Sequence, residues 1–241
     1  HHVIAYLIPP GEVAQIQALD EADPDYGYEC FGGPGTTGRF EWLGAWAPGG
    51  RGDDFPQGTG IKLTEGSKIV IQMHYNTYDS EPEADQTSIE LKIDEEVDKR
   101  ATILLWLNFM WTRGDQMLIP AGEQSVSHSY VQDPTLFLRQ FTGGAFESGR
   151  PFTIHWSALH MHQLGKKIRL WIERASSENA CLVDVPNYDF NWQFVYQPTE
   201  PVVFNPGDRL GISCEWDNSA ANQHRVDGQL RQPQDVRWGD G

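Results

Sequence analysis

Positive charge is scarce in this chain. Lys and Arg number 18 against 34 Asp and Glu, leaving a net charge of −16. Repulsion of that size opposes docking on nucleic acid and on anionic membrane surfaces. It is compatible with cation capture, although solubility alone accounts for it. Long apolar runs are also missing. No stretch reaches the ~18 residues of a membrane span, and no signal peptide is visible. Cysteine is sparse: Cys30, Cys181 and Cys214 form an odd set without C-x-x-C spacing, which argues against zinc–thiolate chemistry and leaves room for one disulfide. No long helical pattern stands out either.

The apolar matter that is present suffices for a core. The 241 residues are 39% hydrophobic and 12% aromatic, which suits one large β domain or two of ordinary size. Alternating or apolar runs bounded by Gly, Pro and Asn turns predict strands over 1–8, 68–77, 87–93, 101–109, 125–130, 152–162, 167–173, 190–196, 202–204 and 210–216. Residues 61–63 and 116–119 give shorter signals. Residues 12–19 read as a short helical turn, and 31–60, rich in Gly and Pro with Trp42, Trp46 and Phe55, as loop and short strands. A turn is expected near Asp79-Ser80-Glu81-Pro82, and Gln163-Leu164-Gly165-Lys166 reads as a hairpin. The acidic stretch from Asp94 to Arg100 marks a boundary between an N-terminal domain, 1–98, and a C-terminal domain, 99–241. The expected fold class is all-β, as two antiparallel β-sandwiches or one large sandwich with decorated loops.

Eight histidines carry the chemistry. His128, His155 and His224 stand alone and read as structural. His160 and His162 sit two apart in Leu159-His160-Met161-His162-Gln163-Leu164, so on a strand both imidazoles project to one side while Met161 projects to the other. His74 closes Ile69-Val70-Ile71-Gln72-Met73-His74, and His1-His2 open the chain. Neighbours on a regular strand face opposite ways, so joint binding by His1 and His2 requires a local distortion. Imidazole suits zinc, copper, iron and nickel. No carboxylate cluster accompanies these histidines, so calcium and magnesium are poor candidates. Spacing alone leaves zinc and copper both open.

The chain resembles the copper type II, ascorbate-dependent monooxygenases along nearly its whole length. The resemblance rests on the order and spacing of His1-His2-Val3, Ala45-Trp46-Ala47-Pro48, Phe55-Pro56-Gln57-Gly58-Thr59-Gly60, Ile71-Gln72-Met73-His74-Tyr75, Leu118-Ile119-Pro120-Ala121-Gly122-Glu123, Leu159-His160-Met161-His162-Gln163-Leu164-Gly165-Lys166, and Cys214 after Gly211-Ile212-Ser213. It implies two tandem jelly-roll-like sandwiches and two copper ions. One copper, for electron transfer, falls to His1, His2 and His74. The other, catalytic, falls to His160, His162 and a methionine. Gln72 matches a glutamine implicated in electron relay or substrate binding. Ascorbate or a similar one-electron donor is the implied reductant, and the setting is secreted or periplasmic. The family's methionine follows a Trp-Gly-(Asp/Glu)-Gly turn, and this chain closes on Trp238-Gly239-Asp240-Gly241. The methionine ligand and a cysteine partner for Cys214 are therefore expected beyond residue 241, and a mid-strand opening at His1 suggests trimming there as well. Ala158 stands where the peptide-amidating members carry arginine, so a small apolar or aromatic substrate is expected.

The expected activity is hydroxylation of an activated C–H with dioxygen. A catalytically silent copper-binding β-sandwich is the alternative. A third reading takes the His1 amine and imidazole as a copper clasp like that of polysaccharide-cleaving monooxygenases.

Overall fold

The structure is a computed structural model, and it describes residues 2–47, 50, 52, 54–75, 84–226 and 229–239. His1, Pro48, residues 76–77 and the turn expected at Asp79-Ser80-Glu81-Pro82 lie outside the described residues. The chain divides into two compact units, one of residues 1–104 with 139–145, the other of residues 105–138 with 146–241.

In the first unit the chain forms β1 (His2–Ile8), helix α1 (Val13–Ala22), β2 (Glu41–Trp46), β3 (Thr59–Gly60), β4 (Lys68–His74) and β5 (Lys99–Arg100). β1 is the centre of an antiparallel sheet ordered β2-β1-β4. Its even residues Ile4, Tyr6 and Ile8 form the core with Ile16. α1 is longer than the sequence pattern implies. Val13, Ile16 and Leu19 recur at helical spacing and pack on that core. The helix stops at Asp23, whose extended backbone is what the following Pro24 demands. β3 and β5 form a short parallel pair. The strand expected over 87–93 does not form: no strand is assigned there, and Ile93 is 64% exposed. Its side chains alternate, yet among the described residues it pairs with no strand.

The second unit holds β6 (Val126–Gln132), helix α2 (Thr135–Phe141, shared with the first unit), β7 (Phe152–Ile154), β8 (Ser157–Ala158), β9 (Gly165–Glu173), β10 (Ala180–Val185), β11 (Val195–Tyr196), β12 (Val202–Phe204), β13 (Arg209–Trp216), β14 (Arg225–Val226) and β15 (Gln229–Leu230). An antiparallel sheet ordered β10-β9-β13-β6 turns Ile168, Leu170, Ile172, Leu210, Cys214 and Trp216 inward. Leu159, Met161 and Phe204 join the same core, with Phe152 stacked on Phe204 at 4.6 Å between ring centres. The outward face is polar. Lys167 pairs with Glu215 at 3.1 Å, and the Ser129 hydroxyl donates to Ser213 at 3.0 Å.

Four expectations about strands and their connections are corrected here. Residues 101–108 carry no strand and run into a short 3-10 turn at Phe109–Thr112. The run 152–162 breaks into β7 and β8. The turn after it is real, since Gly165 N–H donates to His162 O at 2.9 Å. It does not close a hairpin, because β8 pairs with β11 while β9 pairs with β10 and β13. The strand expected over 190–196 is reduced to β11, Val195–Tyr196. All three cysteines are free. Cys181 and Cys214 lie on β10 and β13, which flank β9. Cys181 is level with Trp171 and Cys214 with Ile168, three residues further along, so two strand spacings and that offset place them roughly 14 Å apart, beyond disulfide reach.

Candidate metal centre

Strand pairing brings the first two imidazoles together. In the β1–β4 ladder His2 lies directly opposite His74, two steps beyond Ile4 opposite Gln72. Both histidines therefore extend the face that buries Ile4 and Tyr6. His74 Nδ1 lies 3.4 Å from His2 Nε2, and the rings meet edge to face with centroids 4.5 Å apart. Met73 projects from the opposite face. Gln72 is 8% exposed and fully engaged. Tyr6 donates its hydroxyl to Gln72 Oε1 at 3.1 Å, while Gln72 Nε2 donates to Cys30 Sγ at 3.2 Å and to Gly33 O at 3.4 Å. Burial, with the Cys30 charge adding to it, pushes the Tyr6 phenol up to about 12. Tyr6 thus stays a neutral donor at ordinary pH.

The second pair follows β8. Leu159 and Met161 point into the core, so Ala158, His160 and His162 share the outward side. The His160 and His162 rings lie 5.1 Å apart, edge to face. Two residues that the sequence pattern does not flag hold this segment. Gln193 Oε1 sits 2.6 Å from His160 Nδ1, and Gln193 Nε2 is spent on Phe190 O at 2.7 Å. The amide oxygen therefore accepts from Nδ1–H, leaving the lone pair on Nε2. The Tyr188 hydroxyl donates to Met161 O at 2.7 Å and accepts Met161 N–H at 3.0 Å, clamping the backbone between the histidines. Burial raises this phenol to about 12. Phe190 borders His162, centroid to centroid 6.3 Å.

His128 falls elsewhere. His128 Nε2 contacts Leu118 O at 3.1 Å, and its ring packs on Trp111 and Trp216. Met117 and Met161 are buried, whereas Met110 is exposed. Among the described residues no group of three or more His, Cys, Asp or Glu converges.

Fold and site together define a class: a β-sheet protein presenting two imidazole pairs, one across the β1–β4 ladder and one on the outward side of the segment that follows β8. The chain belongs to the copper type II ascorbate-dependent monooxygenase family, whose C-terminal domain matches residues 100–232. It is 26% identical over 223 residues to DBH-like monooxygenase protein 2 of Mus musculus, covering 90% of this chain and 33% of that protein. It is 24% identical over 179 residues to MOXD1 homolog 1 of Drosophila melanogaster, covering 73% of this chain and 24% of that protein. The chain thus spans a third or less of the length of these relatives. The donor set fits copper, which takes imidazole readily. Two nitrogens bound at ~2.0 Å to one ion at a tetrahedral angle lie roughly 3.3 Å apart, close to the 3.4 Å between His2 and His74. Among the described residues no helix is long and apolar enough to cross a membrane.

Proposed function

We propose that this chain is the two-copper core of a monooxygenase that hydroxylates an activated C–H of a small apolar or aromatic substrate. The carrying observation is the pairing of His2 with His74 and of His160 with His162, each on one face. In this reading residues 1–98 and 99–241 are tandem jelly-roll-like sandwiches in a secreted or periplasmic protein. His1, His2 and His74 hold one ion, and His160 and His162 hold the other. Copper, when bound, supplies one-electron redox chemistry and oxygen activation, with ascorbate or a similar donor as reductant. The chain's own residues set the stage. Gln193 fixes the His160 tautomer, and Tyr188 fixes the peptide between the two ligands. Ala158 and Phe190 offer an apolar, uncharged approach. Gln72, held by Tyr6 and Cys30 on the His74 face, stands as the contact between the first site and an electron donor or substrate.

The test is a Cu(I) titration of the intact chain, followed by oxygen uptake with ascorbate over a panel of aromatic and aliphatic substrates. Two equivalents and substrate-dependent uptake are expected, with one equivalent lost in His160→Ala/His162→Ala. Fewer than two equivalents overturns the reading. Two equivalents with no uptake would identify a silent copper-binding sandwich instead.

A further inference from the structure

The first unit contains a pocket of about 390 Å³ at the opposite end of β1 from His2, bordered by Leu7 and Pro9. Leu7 is five residues from His2, roughly 17 Å along the strand, so the pocket is separate from the imidazole pairs. In a chain of net charge −16, three cations gather there: Arg39, Lys62 and Arg100. The carboxylate among its lining residues is Glu41, and Arg100 Nη2 already holds it at 2.9 and 3.1 Å. Among the described residues neither Arg39 nor Lys62 enters an ion pair. The lining therefore carries two uncompensated positive charges.

Two further features point to a ligand. Ser67 is a lining residue of the pocket, and its hydroxyl oxygen is buried with no hydrogen-bond partner among the described residues. A buried hydroxyl left unpaired is costly, so an acceptor entering the pocket has a donor waiting. The Arg39 guanidinium lies against the chain at Gly143. A Cβ built there would fall 1.5 Å from Arg39 Nη1, and the backbone takes φ +62°. Gly143 thus leaves room for the guanidinium at the pocket wall.

We infer that this pocket binds a small dianionic oxyanion of the phosphate class, either the free ion or a phosphate monoester. Planar guanidinium forks and an ammonium match oxyanion geometry and charge. The excess of two positive charges matches a dianion, and the Ser67 hydroxyl supplies a neutral donor.

The experiment is calorimetric titration of the whole chain with inorganic phosphate at pH 7.5 and constant ionic strength, with chloride as the screening control. One saturable equivalent is expected for phosphate and none for chloride. Arg39→Gln and Lys62→Gln, both exposed positions, should each weaken binding about tenfold, the effect of ~1.4 kcal/mol, while circular dichroism and copper content hold. Ser67→Ala separates a ligand-binding role from a structural one. It should weaken phosphate binding yet leave the melting temperature in phosphate-free buffer unchanged or higher, because the unpaired hydroxyl is gone. Equal responses to phosphate and chloride, or variants that bind phosphate like the parent, overturn the assignment. A phosphate monoester binding more tightly than phosphate extends the site to the organic ligand.

Discussion

Gln193 and Tyr188 act on the histidine pair from 33 and 27 residues away, and that distance explains why only half of the site was legible. The pairing of His160 with His162 is a local fact of spacing, whereas a tautomer-fixing amide leaves no periodic trace in sequence. Gln193→Ala should weaken copper binding at His160 by about 10- to 100-fold, the usual effect of losing an outer partner, with the fold unchanged. Gln193→Glu keeps the acceptor and should retain most of the affinity, which a competitive Cu(I) chelator titration reads directly. Tyr188→Phe removes a donor and an acceptor from a buried peptide and should cost about 1–3 kcal/mol of stability. Asp208 yields a pH prediction. Burial would raise its carboxyl, but the Asn205 N–H, the Arg174 guanidinium at 2.7 Å and the Ala175 N–H outweigh it and hold the group below the ordinary carboxylate range. A folded-state value below the unfolded ~3.9 means its stabilisation is complete above about pH 4 and fades as pH falls through the folded value. Asp208→Asn should therefore destabilise the chain at pH 7 and flatten its acid limb below about pH 4, as followed by urea midpoints.

Strands whose alternation meets a partner appear where the pattern puts them. β4, β6, β9 and β13 all lie within predicted runs or overlap them closely, because one face of each packs on a core. Residues 87–93 carry the same alternation but join no sheet among the described residues, so parity in a sequence reports a capacity to pair and not the pairing itself. The same parity governs the first imidazole pair. Tyr6, Gln72 and His74 share a face only while the β1–β4 register sets His2 against His74. Inserting one residue between Gln72 and Met73 turns His74 to the other side and should remove one copper equivalent while leaving the His160 and His162 site intact. Retention of both equivalents would mean that His74 is not a ligand. On β13, Gly211 admits the Trp171 ring, since an added Cβ would lie 2.3 Å from it. Gly211→Ala should therefore cost about 1–3 kcal/mol through overpacking, measured by chemical denaturation.

The two units rest on unequal cores. Among the described residues, Ile4, Tyr6, Ile8 and Ile16 form the cluster of the first unit, whereas fourteen side chains form that of the second. Each buried side chain of this kind contributes roughly 1.5–3 kcal/mol, while ordering costs accrue per residue in both units. The first unit is thus the weaker cooperative element, and composition gave no warning of this, because hydrophobic fractions count side chains without saying which are covered. Ile69, Ile71 and Trp46 belong to the apolar total yet remain exposed. Hydrogen exchange should accordingly find β1 and β4 amides exchanging well before those of β9 and β13, and melting should show two transitions. If His2 and His74 help to hold an ion, Cu(I) must raise the lower transition as well, since a ligand at 1,000 times its dissociation constant adds about 4 kcal/mol to the state that binds it. In His74→Ala that shift should vanish while the upper transition still responds to copper through His160 and His162. A lower transition indifferent to Cu(I) in the parent chain would separate the first imidazole pair from copper altogether.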